Sequence, residues 1–169
     1  MAKAVLEALA ARFPGGELYE PYEGVGGDDC VFVQKAHIRD VCEFLKRDPA
    51  LAFDMSPYIT AVDYLGQDPR FEVVYNLYST RHNHRVRLRV KVGESDLVLP
   101  SVTPVWRGAD WFERYCFDMY GIRFEGHPDM RRLFMYDEFV GHPLRGRQPL
   151  VPEREIHDIF RGPGPIGRD

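Results

Sequence analysis

Apolar and polar positions along the chain alternate in a few clear rhythms. Residues 3–13 bring Val5, Leu6, Leu9 and Phe13 to one helical face, and Pro14-Gly15-Gly16 ends the run. Gly24 to Asp29 reads as a turn, and Cys30-Val31-Phe32-Val33 after it as a short buried strand. Residues 35–47 place Ile38, Val41, Cys42 and Leu45 at i, i+3, i+4 and i+7, with Lys35, Arg39, Glu43 and Lys46 on the far side. That is an amphipathic helix, closed by Asp48-Pro49.

Strand signals follow. Ile59 to Tyr64 is one candidate, and Phe71 to Ser79, rich in β-formers, is the next. After the polar loop 80–84, residues 85–92 alternate strictly: Val86, Leu88, Val90 and Val92 point one way, Arg85, Arg87, Arg89 and Lys91 the other. Two strands around a short polar loop predict a hairpin. Asp110-Trp111-Phe112-Glu113 predicts a helix start, with Asp110 as N-cap and Glu113 completing a capping box. The helix should reach Tyr120, with Gly121 as its left-handed cap.

Beyond Phe124 the pattern changes. Residues 126–169 hold six Pro and six Gly, which break long elements, yet Leu133, Phe134, Met135, Tyr136, Phe139, Leu144, Leu150, Ile156, Ile159 and Phe160 keep the stretch apolar. An irregular segment that stays apolar needs another surface to lie on. The expected organisation is a compact α/β domain over residues 1–124, a small mixed sheet with helices packed on it, followed by an extended partner-wrapping tail over 125–169. Deleting residues 126–169 should then leave a folded domain.

Composition narrows the functional classes. The 169 residues carry 22 Lys+Arg and 26 Asp+Glu, a net charge of -4 that argues against a general nucleic-acid binder. Cys30, Cys42 and Cys116 are too few and too scattered for a thiolate cluster or a zinc ribbon, and an odd count fits a reducing compartment. No stretch reaches the ~18 apolar residues of a membrane span, and Glu7 arrives too early for a signal peptide, so any membrane link should run through a partner.

Candidate chemistry is sparse. His82, His84, His127 and His142 show no His-x-x-x-His or Cys-x-x-Cys spacing; loop histidines bonded to backbone carbonyls account for them better than a metal does. Cys116 is the best-placed thiol, but on an apolar helical face cysteine is usually a small core residue. No phosphate loop, dinucleotide fingerprint or nucleophile elbow occurs. The cation row of residues 85–91 suits a solvated sheet face that repels edge pairing, or an acidic partner; RNA is disfavoured because no aromatics are expected to interleave with the cations on that face. Arg114 and Asp118 could pair at i, i+4. Arg131, Arg132, Arg145 and Arg147, in an irregular apolar setting, suit forked bonds to a neighbour.

From Glu113 onward the order Glu-Arg-Tyr-Cys-Phe-Asp-Met-Tyr-Gly-Ile-Arg-Phe-Glu-Gly-His-Pro-Asp-Met-Arg-Arg, then Gly141-His142-Pro143-Leu144-Arg145, resembles the signature of the 30-kilodalton subunit of respiratory complex I, the C-type subunit of NADH–quinone oxidoreductase. Residues 60–64, 70–75 and 100–103 add to the resemblance, which spans roughly residues 55–150. Tyr115 departs from it where a second acid is usual, and Gly146-Arg147-Gln148 where Lys-Asp-aromatic is usual. The resemblance implies a peripheral-arm subunit packed on a 49-kilodalton-type quinone-pocket subunit beside iron–sulfur subunits, on the cytoplasmic side of a bacterial inner membrane. Flavin, clusters and quinone would reside in other chains, and this chain would carry no catalytic residue, cofactor or metal. The implied partner-interface residues are Glu113, Arg114, Asp118, Gly121, Gly126, His127, Pro128, Arg131, Arg132, Gly141, His142, Pro143, Leu144 and Arg145. Related hydrogenases, formate hydrogenlyases and deazaflavin-linked complexes use similar subunits and are the alternative.

Overall fold

The structure is a computed structural model that describes residues 2–23 and 29–146. Residues 24–28 of the turn expected at 24–29, Arg147, Gln148 and the apolar residues Leu150, Ile156, Ile159 and Phe160 lie outside the described residues, and Asp29 belongs to the strand that follows. In chain order the elements are α1 (Ala2–Arg12), β1 (Leu18–Glu23), β2 (Asp29–Val33), a single 3-10 turn (Lys35–His37) leading into α2 (Ile38–Arg47), β3 (Met55–Asp63), β4 (Phe71–Ser79), β5 (His84–Val92), β6 (Val98–Pro100), α3 (Ala109–Tyr120) and β7 (Arg123–Glu125).

Five strands form one mixed sheet in the order β1-β2-β5-β4-β3. β2 and β5 run parallel, and the other neighbours run antiparallel. The hairpin is in register from Phe71↔Val92 to Ser79↔His84. Val86, Leu88, Val90 and Val92 join Val73, Tyr75 and Leu77 in one core with residues of all three helices. The helical stripe of α2 is buried as its spacing predicts, through Ile38, Val41, Cys42 and Leu45. β2 is buried along its whole length, as suits a strand flanked on both sides.

Three strands have no clear signal in the sequence. β1 contains Pro21, and its pairing to β2 shifts register between Tyr19 and Tyr22, so it lacks a clean alternation. β6 and β7 have three residues each and exist only because residues 98–100 and 123–125 meet in parallel. β3 begins at Met55, earlier than its apolar run, and Pro57 falls where the pairing with β4 shifts register. That placement suits a residue without an N–H on an edge strand. The cation row, by contrast, is not an edge device: β5 lies inside the sheet, between β2 and β4. Nor is its face free of aromatics as expected, because the flanking strands set Phe32 against Arg89 and Lys91, at 4.7 and 4.5 Å, and Tyr78 against Arg85, at 5.4 Å.

Candidate partner interface around the third helix

α3 organises everything after it. Ala109, Glu113, Cys116 and Tyr120 form its buried stripe, which puts an acid in the core. Glu113 does not close a capping box: Gly108 is the N-cap and no side chain caps the helix. Its carboxylate instead accepts the Ser101 hydroxyl at 2.6 Å and the Val102 N–H at 2.7 Å, pinning the turn that follows β6. Burial pushes the Glu113 carboxyl up to about 7, against the two hydrogen bonds that lower it, and nearby Asp110 adds to the rise. Burial also pushes the Cys116 thiol far up, so it stays a neutral core group.

Asp118 is equally enclosed, with 0% exposure. One oxygen takes three successive backbone N–H groups, from Leu133, Phe134 and Met135, at 3.1, 2.7 and 2.9 Å. The other takes Arg132 Nη1 at 2.9 Å. Burial raises this carboxyl, but the hydrogen bonds outweigh burial and hold it below its ordinary range. The expected Arg114–Asp118 pair does not form. Arg114 donates to the carbonyls of Arg131 and Arg132, both at 3.1 Å. Its guanidinium lies 5.4 Å from the ring of Trp111. Arg132 also ties down the carbonyls of Phe139 and Gly141, whereas Arg131 faces solvent and pairs with Asp129.

The two Gly-His-Pro motifs hold opposite ends of α3. In the first, His127 Nδ1 accepts the Asp129 N–H at 3.0 Å, so Nε2 carries the hydrogen and points at Asp110, 3.0 Å from Oδ1. In the second, His142 Nδ1 donates to the Asp118 carbonyl at 3.0 Å. Leu144 N–H then reaches the Met119 carbonyl at 3.1 Å, and Arg145 Nε the Tyr120 carbonyl at 2.7 Å. The Gly121 N–H donates to the Phe117 carbonyl at 2.8 Å. A helix leaves its last four carbonyls without internal donors. Here all four are met, and Arg145 brings a cation to the negative end of the helix dipole.

Glycine is required where these parts touch. Gly121 takes the left-handed cap expected of it, φ 75°, and an added Cβ would stand 2.5 Å from both His142 Nε2 and Arg145 Nη2. Gly126 and Gly141, which open the two motifs, also have positive φ, 80° and 102°. Pro128 is exposed and Pro143 half-buried, each just after its histidine. Finally, Gly146 N–H donates to Asp63 at 2.7 Å, while Arg70 links Asp63, Glu94 and the Gly146 carbonyl. Residues 126–146 are therefore irregular, as their composition predicts, yet fastened to α3 and the β3–β4 turn rather than trailing away. Deleting residues 126–169 would strip three of the four carbonyl caps from α3.

The expected interface residues thus divide. Glu113, Asp118 and the His127 side chain are enclosed, and Arg132, His142 and Arg145 are mostly turned inward. What this frame leaves outside is aromatic. Tyr58, Trp111 and Phe134 are 46%, 59% and 64% exposed, and Val140 and Leu144 are also exposed. A groove of 440 Å³ runs between the β3 edge and α3, lined by Tyr58, Thr60, Trp111, Tyr115, Leu133 and Phe134 among others. Tyr115, the departure from the signature, makes an edge contact with Phe134 at 6.2 Å, so an aromatic wall stands where an acid is usual. Of these groove residues, Leu133 and Phe134 belong to the apolar irregular stretch that the sequence singles out, whereas no pattern marks Tyr58, Thr60 or Tyr115 as their neighbours.

Three of the four singled-out histidines bond to carbonyls, His82 to Pro49, His127 to Asp110 and His142 to Asp118, while the His84 ring stacks on that of His82 at 5.6 Å. Among the described residues no group of three His, Cys, Asp or Glu could hold a metal, and no helix is long and apolar enough to cross a membrane. A sheet domain whose third helix carries a clamped loop with exposed aromatics presents a preformed surface beside that helix. The family described as the respiratory-chain NADH dehydrogenase 30 Kd subunit matches residues 31–154. The chain is 47% identical over 133 residues to a C-type subunit of the NADH-quinone oxidoreductase of Rhizobium meliloti (strain 1021), covering 79% of this chain and 72% of that protein. Its fold superposes on the trypsin-resistant fragment of Nqo5 with a TM-score of 0.64 and 30% identity, covering 74% of this chain and 98% of the fragment. A chain of an archaeal membrane-bound sulfane sulfur reductase complex gives a TM-score of 0.73 at 18% identity, covering 99% of this chain and 95% of that one, a likeness of fold alone. This chain belongs to the 30-kilodalton subunit family of respiratory NADH–quinone oxidoreductase.

Proposed function

We propose that the chain braces the peripheral arm of a proton-translocating NADH–quinone oxidoreductase, and that the aromatic groove beside α3 seats the 49-kilodalton-type quinone-pocket subunit, with iron–sulfur subunits adjacent. One observation carries the reading. The signature residues spend their hydrogen bonds inside the chain, and the aromatic groups they position stay exposed. Exposed aromatics in a preformed groove are the usual anchors of protein interfaces, each worth about 2 kcal/mol or more when buried by a partner. In this reading flavin, iron–sulfur clusters and quinone belong to other subunits, and this chain supplies position rather than chemistry. It sits on the cytoplasmic face of the membrane, held there by its partners.

The test is a strain whose own copy is replaced by the Trp111→Ala/Phe134→Ala double variant. Both side chains are exposed, so the isolated variant should melt with the native chain. The membrane complex should lose this chain on native gels, and NADH–quinone activity should fall with it. A complex assembled at full yield would overturn the assignment.

A further inference from the structure

The two edges of the sheet are built differently. β1 is short and carries Glu20 and Pro21, and its pairing shifts register between Tyr19 and Tyr22. Charge, proline and bulges are the devices that keep an edge from recruiting another strand. β3 has nine residues and confines such devices to its ends. Pro57 sits in the irregular stretch between Met55 and Tyr58, and Asp63 at the far end is taken up by Arg70 and the Gly146 N–H. Between them Tyr58-Ile59-Thr60-Ala61-Val62 has no charge and no proline, and all but the alanine are good strand formers. Such a stretch, roughly 17 Å long at ~3.4 Å per residue, is a ready template for another strand.

β4 occupies one side of this stretch, and among the described residues no strand occupies the other. A strand paired on one side only turns alternate N–H and C=O groups outward. Among the described residues, the one further hydrogen-bonding contact to the backbone of 58–62 is the Cys116 thiol, 4.0 Å from the Ile59 carbonyl. Tyr58, Ile59 and Thr60 also line the apolar groove beside α3, opposite Trp111, Tyr115, Leu133 and Phe134. The open backbone and the apolar groove therefore meet at the same residues. A helix or an acyl chain in the groove would cover the outward N–H and C=O groups without pairing them, and shielded backbone groups are almost always paired. An extended protein segment satisfies both: its backbone bonds to β3, and every second side chain enters the groove.

We propose that the partner seated in this groove adds an extended segment to β3 at residues 58–62, as a sixth strand of the sheet, with apolar side chains set between Trp111 and Phe134. The proposal rests on the bracing role above and deepens it: the partner is held through its own backbone as well as by the aromatic anchors. It also accounts for the contrast between the edges, because an edge that is covered in the assembled complex has no need of the charge and proline that blunt β1.

Hydrogen exchange read at single residues, on the purified complex and on the isolated full chain, tests this. In the isolated chain alternate amides of 58–62 should exchange at nearly unprotected rates, and in the complex the same amides should slow about 100-fold or more. The fast set also tells whether the Ile59 or the Thr60 N–H points outward. Replacing that residue by its α-hydroxy acid removes the outward N–H and keeps the side chain. It should lower retention of this chain in the complex about tenfold, while the isolated variant melts with the native chain. If Trp111→Ala/Phe134→Ala releases the chain but the outward amides exchange alike in the complex and alone, the added strand falls and the bracing role stands. If that variant leaves the chain in place and the amides do not slow, both fall. Outward amides already slow in the isolated chain, through a second copy in a dimer or through the chain's own residues, also overturn the proposal.

Discussion

Asp118→Ala removes one carboxylate and releases a whole loop. The native group accepts three backbone N–H bonds and one from Arg132, all within 3.1 Å, and Arg132 in turn holds the carbonyls of Phe139 and Gly141. Hydrogen bonds to a charged group are worth roughly 1.5–3 kcal/mol each, so four taken separately would exceed the stability of many domains. The loop at 131–141 is partly exposed, so its freed donors can turn to water. The cost then settles near that of breaking a buried ion pair, about 3–5 kcal/mol. At ~1.4 kcal/mol per tenfold, amide exchange at Leu133, Phe134 and Met135 should accelerate about 100- to 4,000-fold, while β4 and β5 stay protected. Hydrogen-exchange mass spectrometry reads this directly. The contribution has a pH signature too. Because the folded carboxyl sits below its ordinary 3.8, the stability it confers is complete above that value and is lost as pH falls through the lower folded one. Unchanged protection of residues 133–135 in Asp118→Ala would refute the clamp.

Two further changes probe the same frame. Raising the Glu113 carboxyl from 4.5 to about 7 means the folded chain keeps a proton that the unfolded chain has released, so stability should fall by up to about 3 kcal/mol as pH rises through that window and level off above it. Glu113→Gln, which keeps an oxygen for Val102 N–H and offers a donor to Ser101, should flatten that slope in urea melts at pH 5 and pH 8. Gly121→Ala combines a left-handed residue with a Cβ driven against His142 and Arg145, and should cost roughly 2–5 kcal/mol in thermal melts while loosening residues 142–145 in hydrogen exchange.

Periodicity reaches the elements whose side chains follow one rule. The α2 stripe, the β4–β5 hairpin and the Gly121 cap are local patterns, and the structure reproduces them. It fails where structure arises from long-range closure. β6 and β7 are three-residue strands that pair across α3, and neither has a period to read. Glu113 shows a different failure. Its spacing from Asp110 matches a capping box, while its spacing from Ala109 and Cys116 places it on the buried stripe. The second pattern prevails because Ser101 and Val102 supply the hydrogen bonds that make a buried carboxyl tolerable. Asp118 is beyond any such reading, since its partners lie 14 to 17 residues downstream in a stretch without regular structure.

The repeated Gly-His-Pro motif is where sequence and function come closest. It is part of the family signature, and the resemblance implies residues that touch a neighbour. The geometry gives them a prior task. His127 answers the first turn of α3, and His142, Leu144 and Arg145 answer its last carbonyls, so the loop between the motifs has its course set at both ends. With that course fixed, Leu133 and Phe134 can face Trp111 and Tyr58 across a groove that exists before any partner arrives. A preformed groove spares the partner the entropy of ordering the loop, which otherwise subtracts from affinity. On this logic the signature specifies the frame, and the aromatics between its fixed points, Tyr115 among them, are where the identity of the partner is written.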